Sequence, residues 1–130
     1  MKLTKILMAG ILTVGIASAN DVLKKSMDTM QKGIEQVQYG FINNNEQMIK
    51  DGLKMITKGN SLLSSSSINS FLPKDKKHMT NVALNASKRI TADTTIVELN
   101  LDDKAYTKAA DGYADMINAC SRCHGIVRSW

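Results

Sequence analysis

The chain is poor in proline, cysteine, histidine and aromatic residues: its 130 residues include one Pro, two Cys, two His and six aromatic side chains. A turn-rich β-sandwich or a disulfide-dense scaffold needs more of the first two. With so few histidines and no glycine-rich phosphate loop, no hydrolase or nucleotide-binding pattern is present. The 43% hydrophobic content excludes general disorder. We therefore expect one helical domain that is not an enzyme.

The first 19 residues have the three parts of a secretory signal peptide. Lys2 and Lys5 precede an apolar run at residues 6–16, and Ala17–Ala19 forms a small-residue cleavage site. This run of eleven residues is shorter than the ~18 that a membrane span needs. We expect cleavage after Ala19, export to a bacterial periplasm, and a mature chain of residues 20–130 that is not inserted in the membrane.

The basic excess becomes modest once this segment is removed. The whole chain has a formal charge of +5, and residues 20–130 carry 15 basic and 12 acidic side chains, or 15 − 12 = +3. Because a nucleic-acid-binding domain normally shows a dense basic stripe, we expect no nucleic-acid partner. The basic segment with Lys74, Lys76 and Lys77 is either a docking site for an acidic redox partner or a solvated charge run.

Hydrophobic periodicity predicts four amphipathic helices. They span approximately Asp21–Ile42, Glu46–Lys58, Asp75–Glu98 and Asp103–Arg128. The serine-rich segment Ser61–Ser70 is predicted to be a loop. Because most of the links are short, the pattern predicts an all-α, antiparallel, up-down-up-down four-helix bundle formed by a single domain.

The first and last helices each present one continuous apolar face. In the first helix its members are Leu23, Met27, Met30, Ile34, Val37 and Phe41. In the last helix they are Tyr106, Ala110, Tyr113, Ile117, Cys120, His124 and Val127. We further expect Asp102 to cap the last helix and Leu101 to pack onto Tyr106.

Cys120, Cys123 and His124 form a CxxCH motif, which is typical of covalent attachment of c-type haem. Two cysteines three residues apart lie on the same side of a helix, so each thiol can add to one vinyl group of the haem. His124 follows directly and is the expected proximal ligand of the iron. A thiol oxidoreductase is the alternative, although such a pair normally lies at a helix N-terminus within a βαβ unit.

A single CxxCH motif near the C-terminus of an exported four-helix chain resembles the class II cytochromes c, namely cytochrome c′ and its low-spin, methionine-ligated relatives. The resemblance rests on residues 120–124, on Arg128 four positions later, and on Met27 after the basic pair Lys24-Lys25. It implies one covalently bound haem c, with its iron, held between the helices and faced on its distal side by the first helix. A homodimer through the first two helices is a further implication, which no feature of the sequence decides.

The sixth ligand of the iron separates two functions. Met27 and Met30 share one face of the first helix, and a thioether sulfur can ligate haem iron. The family pattern favours Met27, with Met30 as the alternative. A methionine-ligated haem predicts single-electron carriage between redox partner proteins. An open sixth position predicts a five-coordinate protein that binds nitric oxide or carbon monoxide.

Three further residues have both a functional and a structural interpretation. Arg128 either pairs with a haem propionate or stabilises the C-terminus of the last helix. Gly33 either allows the haem edge to approach the first helix closely or is an ordinary surface glycine. His78 is a weaker alternative as distal ligand, because its basic neighbours favour a solvated position.

Overall fold

A computed structural model describes residues 19–63 and 65–128, and these residues form an all-helical structure. In chain order the elements are α1 (Ala19–Ile42), α2 (Glu46–Asn60), α3 (Ser65–Phe71), a 3-10 helix (Lys74–Met79), α4 (Thr80–Asp102) and α5 (Tyr106–Arg128). The predicted helical class is confirmed. The predicted signal peptide lies outside the described residues except for Ala19. In the part of the chain that the structure describes, no helix has the length and hydropathy of a membrane span.

Serine-rich residues 61–70, predicted to be a loop, contain α3. Ile68 of α3 and the following Leu72 are buried against Ala83 of α4 and Ile126 of α5. The helix forms because this burial outweighs the low helix propensity of its serines. The predicted third helix is also displaced, since residues 74–79 form the 3-10 helix and α4 begins only at Thr80.

The connection between α4 and α5 lies further along the chain than predicted. Asp102, the predicted N-cap of the last helix, is the final residue of α4, and Leu101 is buried in the core rather than packed onto the exposed Tyr106. Lys104 adopts a left-handed φ of 58°, and the Ala105 N–H donates to the Asn100 carbonyl at 2.8 Å. The chain therefore turns sharply at a lysine, which sequence patterns do not mark as a turn residue.

α1 and α2 pack so closely that only glycine fits at their contact. A Cβ atom on Gly33 would lie 2.6 Å from the carbonyl oxygen of Gly52, and one on Gly52 would lie 2.7 Å from the carbonyl oxygen of Gly33. Gly40 and Gly59 repeat this close approach seven residues further along each helix. Both predicted roles of Gly33 are therefore wrong, because it is buried against α2.

A buried amide joins the end of α2 to α4. Asn60 Nδ2 donates to the Ser87 carbonyl oxygen at 2.8 Å and to Thr91 Oγ1 at 2.9 Å, while Ser87 Oγ donates to Asn60 Oδ1 at 2.9 Å. Both polar atoms of the amide are paired, so its burial leaves no unsatisfied group. This contact fixes Ser87 next to the cavity described below.

The main core lies between the α1–α2 pair and the α4–α5 pair. Its buried side chains are Val37, Ile49, Leu53, Ile56, Ile90, Val97, Leu101, Ala109, Met116 and Ala119. On α5 the buried face is displaced from the predicted one, since Tyr106, Ala110 and Ile117 are exposed. The small residues of α5 face α4 instead: a Cβ on Gly112 would lie 3.1 Å from Val97 Cγ2.

Candidate functional site

One small apolar cavity brings together side chains from α1, α4, α5 and the segment after α2. Its volume is about 20 Å³, and its lining residues are Met27, Met30, Leu63, Ser87, Ile90, Cys120, Cys123 and His124. The structure thus places both thiols, the imidazole and both candidate methionines of the sequence analysis around the same space.

α5 presents two thiols and an imidazole to this cavity from adjacent turns. Cys120, Cys123 and His124 are each partly buried, and the two cysteines are free thiols. The intervening residues Ser121 and Arg122 are exposed. Cys120, Cys123 and His124 therefore lie on the cavity side of α5, and the two residues between the cysteines lie on its exposed side.

Met27 and Met30 approach the cavity from α1 and differ in their packing. Met30 is 5% exposed, and its Cγ lies 2.6 Å from the position that a Cβ atom on Gly59 would occupy. Met30 is therefore also part of the contact between α1 and α2. Met27 is only partly buried. Both candidate ligands reach the cavity, and Met30 has the additional structural role.

Aromatic contacts continue the interface of α1 and α5 beyond the cavity. The rings of Phe41 and Tyr113 are tilted at 39°, with centroids 5.8 Å apart. The Tyr113 hydroxyl donates to the Ile34 carbonyl oxygen at 3.4 Å. These contacts hold α5 against the face of α1 that carries Met27.

Burial raises the pKa of both thiols. Desolvation is the largest cause of the rise of the Cys120 pKa to about 11, and the neighbouring Cys123 and Asp93 add to it. Desolvation also raises the pKa of Cys123. A thiol oxidoreductase needs a lowered thiol pKa, because the thiolate is the nucleophile. The environment of these cysteines is therefore opposite to the one that the oxidoreductase alternative requires.

We expect both thiols of the haem-free, folded chain to be alkylated slowly at pH 8. Their raised pKa keeps them protonated, and the protonated thiol does not react. Labelling with iodoacetamide, followed by mass spectrometry, should be about tenfold or more slower at Cys120, and slower at Cys123, than in the same chain unfolded in urea. Equal rates in the folded and unfolded chains would contradict this description of the site.

The surroundings of His124 favour a neutral imidazole. Burial lowers the pKa of His124, and the positive charge of Arg128 lowers it further. Neutral imidazole is the form that can ligate a metal through a ring nitrogen. Arg128 itself is exposed and does not line the cavity. Its predicted contact with a haem propionate stays a prediction.

The basic segment at Lys74–Met79 is tied to the end of the bundle. Lys76 Nζ donates to the Ile126 carbonyl oxygen at 2.9 Å, and Lys77 Nζ donates to the Asn69 carbonyl oxygen at 2.7 Å. Two of the three predicted docking lysines therefore also hold structure together. His78 is exposed and does not line the cavity, so the structure gives no support to it as a distal ligand.

A buried carboxylate on α4 is not among the residues predicted from the sequence. Asp93 is 0% exposed, and Arg89 Nε lies 2.8 Å from its Oδ1 and 3.0 Å from its Oδ2. Arg89 also approaches Asp115 of α5, at 3.3 Å. The spacing of Arg89 and Asp93, four residues apart on a helix, is the signal that could have identified this pair.

The residues around the cavity fit a covalently attached haem in their chemistry. They supply two thiols for thioether bonds, an adjacent imidazole, and a thioether on the facing helix as a second ligand. Their present volume of about 20 Å³ is far below the ~300–1,000 Å³ of small-molecule sites. A bound haem therefore needs more space between α1 and α5. Among the described residues, no three His, Cys, Asp or Glu side chains converge on a metal site.

No protein-family model, characterised protein or solved structure matches this chain. What the fold and site define is a class: an all-helical domain whose CxxCH motif faces two methionines across one cavity. A more specific class of protein can be inferred only from the chemistry of the residues that line the cavity.

Proposed function

We propose that this protein is an exported c-type cytochrome that carries single electrons in the periplasm. Cys120 and Cys123 would hold one haem through thioether bonds, with His124 as the proximal and Met27 as the distal ligand. The observation that supports the proposal is that the CxxCH motif of α5 and the methionines of α1 line the same cavity. The thiol pKa values support it further, because they disfavour a redox dithiol.

In this function the chain positions and shields the cofactor. Bound haem would supply the iron centre that gains and loses one electron. His124 and Met27 lie on different helices and line the same cavity, so each would supply one ligand to that iron. Leu63 and Ile90 contribute apolar walls that exclude water. A methionine ligand raises the reduction potential relative to harder ligands, which suits an electron carrier.

We also propose that α1, α2, α4 and α5 alternate in direction as an up-down-up-down bundle, to which α3 is a short addition. Gly59 at the end of α2 packs against Ser26 near the start of α1. Asn60 at the end of α2 is bonded to Ser87 near the start of α4. The sharp connection between α4 and α5 supports the final reversal of direction.

Mass and absorption spectra of the protein, purified from a host that attaches c-type haem, test the proposed function. We expect the mass of the mature polypeptide plus one haem. We also expect sharp low-spin bands and the weak red charge-transfer band of ferric iron bound to methionine. A high-spin spectrum that shifts with carbon monoxide or nitric oxide would instead support the gas-binding alternative. A mass equal to the polypeptide alone would overturn both.

We expect Met27→Ala to convert the haem-loaded protein from low spin to high spin. Met30→Ala should retain the low-spin bands and lose about 2–4 kcal/mol of stability, because Met30 is wedged against Gly59. Each variant serves as the control for the other, since both remove a cavity-lining thioether. Absorption spectra and thermal unfolding measure the two effects. Loss of the low-spin bands in Met30→Ala alone would assign Met30 as the ligand.

A further inference from the structure

Charge is divided along the length of the bundle. Cutting α1, α2, α4 and α5 at their midpoints gives a cavity half (residues 19–30, 54–91 and 118–128) and a far half (residues 31–53 and 92–117). The cavity half carries eleven Lys and Arg against three Asp, or 11 − 3 = +8. The far half carries four Lys against nine Asp and Glu, or 4 − 9 = −5. The modest net charge of the mature chain conceals this separation.

Four exposed basic side chains of the cavity half lie on α1, α5 and the 3-10 helix. On α5, Arg122 precedes Cys123 directly and Arg128 follows one turn after His124, and both arginines are exposed. On α1, Lys24 is exposed one turn before Met27. Lys74, on the 3-10 helix, is exposed as well. Two of these elements, α1 and α5, also line the cavity, so exposed positive charge lies within one turn of the site residues along both helices.

Part of this positive charge is paired with the far half, since Lys54 lies 3.2 Å from Asp51 and Arg89 pairs with Asp93 and Asp115. In the far half, Glu46 pairs with Lys50 at 3.0 Å and with Lys104 at 2.7 Å. The ion pairs between described residues do not include Lys24, Lys74, Arg122 or Arg128. The cavity half therefore has exposed basic side chains that can pair with a partner protein.

The distribution of apolar side chains distinguishes a protein partner from a membrane surface. Peripheral membrane binding combines basic residues with apolar side chains that insert into the bilayer. Among the described residues, the exposed large apolar side chains lie mostly in the far half: Tyr39, Ile42, Ile96, Leu99, Tyr106 and Ile117, against Val82 in the cavity half. Among the described residues, the cavity half thus combines its basic charge with one exposed large apolar side chain, which suits an acidic protein.

We propose that the cavity half is the docking surface for an acidic protein. The charge separation of this chain orients that protein electrostatically before the two come into contact. As the redox partner of the proposed cytochrome, this protein would meet the chain at the end that holds the site. That redox role depends on the proposed function, whereas the charge recognition does not. The surface is wider than the segment of Lys74, Lys76 and Lys77, because it includes Lys24, Arg122 and Arg128.

Binding of poly-L-glutamate, measured by titration calorimetry at low ionic strength, tests the docking surface. The variant Lys24→Glu/Lys74→Glu removes charge from the cavity half. The control Lys32→Glu/Lys108→Glu makes the same change of four charge units at exposed positions of the far half. We expect about tenfold weaker binding for the first variant and little change for the control. Binding should also weaken between about 10 and 150 mM salt.

Two results would overturn the docking proposal. One is an equal loss of binding in both variants, because net charge alone would then explain the interaction. The other is tighter binding to vesicles of phosphatidylcholine and phosphatidylglycerol than to polyglutamate at the same concentration of anionic groups, which would indicate a membrane surface. The titrations work with or without haem, so failure of the proposed cytochrome function and failure of the docking surface are distinguishable.

Discussion

Gly33→Ala is expected to destabilise the protein by about 3 kcal/mol. The added methyl would lie 2.6 Å from the Gly52 carbonyl oxygen and 2.9 Å from the Ile56 backbone nitrogen. Backbone atoms of a helix cannot move aside as the end of a flexible side chain can. α1 and α2 must therefore separate, which reduces the packing of Val37 and its neighbours along the whole contact.

Gly125→Ala is the matched control, because the same change of residue is made in open space. Apart from Gly125, its chain neighbours and the adjacent backbone of α5, no atom of the described residues lies within 4 Å of the position that a Cβ atom on Gly125 would occupy. Alanine should therefore stabilise α5 by about 0.5–1 kcal/mol through its helix propensity. Urea unfolding followed by circular dichroism measures both variants. Similar stabilities for Gly33→Ala and the native chain would contradict the close contact of α1 with α2.

The parts of the fold that follow from local signals could be predicted from the sequence. Asn45 caps α2 by accepting a hydrogen bond from the Met48 N–H at 3.0 Å, and the predicted start of this helix is confirmed. The predicted end of α1 at Ile42 is also confirmed. Both depend on residues next to one another in the chain, namely the polar segment between these two helices.

The parts that depend on tertiary packing could not be predicted in this way. α3 forms because Ile68 is buried in a cluster with Ala83 of α4 and Ile126 of α5, which the composition of its serine-rich segment does not reveal. The buried face of α5 was mispredicted because Ala109 and Gly112 offer little hydrophobicity but allow close approach to α4. The seven-residue spacing of Gly33 and Gly40, matched in α2, was a visible signal of such packing.

In the candidate site, too, the residues set by local spacing could be predicted from the sequence and those set by tertiary packing could not. Spacing alone indicated Cys120, Cys123 and His124, because their chemistry depends on adjacent turns of one helix. The contributions of Leu63 and Ser87 to the cavity come from other elements and required the structure.

The packing also indicates where space for a haem could arise. α1 and α2 cannot separate without losing the direct backbone contact between Gly33 and Gly52. α1 and α5, in contrast, meet through side chains, including the rings of Phe41 and Tyr113. We expect the two close helix pairs to stay intact and the distance between α1 and α5 to increase. Stability of the α1–α2 pair is therefore a requirement for positioning Met27.

Replacing both cysteines, as Cys120→Ser/Cys123→Ser, is expected to abolish covalent haem attachment completely. Serine keeps a similar size but forms no thioether with a haem vinyl group, so only the proposed ligands His124 and Met27 would remain to hold the iron. Mass spectrometry after expression in a haem-attaching host should give the polypeptide alone, and acidified acetone should extract any residual pigment. Ser121→Ala, at the exposed position between the cysteines, should keep a full complement of haem.

The two single-cysteine variants distinguish covalent attachment of haem from non-covalent binding. Cys120→Ser and Cys123→Ser each leave one thiol at the cavity, so each should retain haem by mass with one thioether bond. Circular dichroism shows whether the double variant is folded, and a folded double variant that still gains the mass of a haem would contradict the roles given to both cysteines. Haem lost from one single variant only would mean that the two thiols differ in access to the vinyl groups.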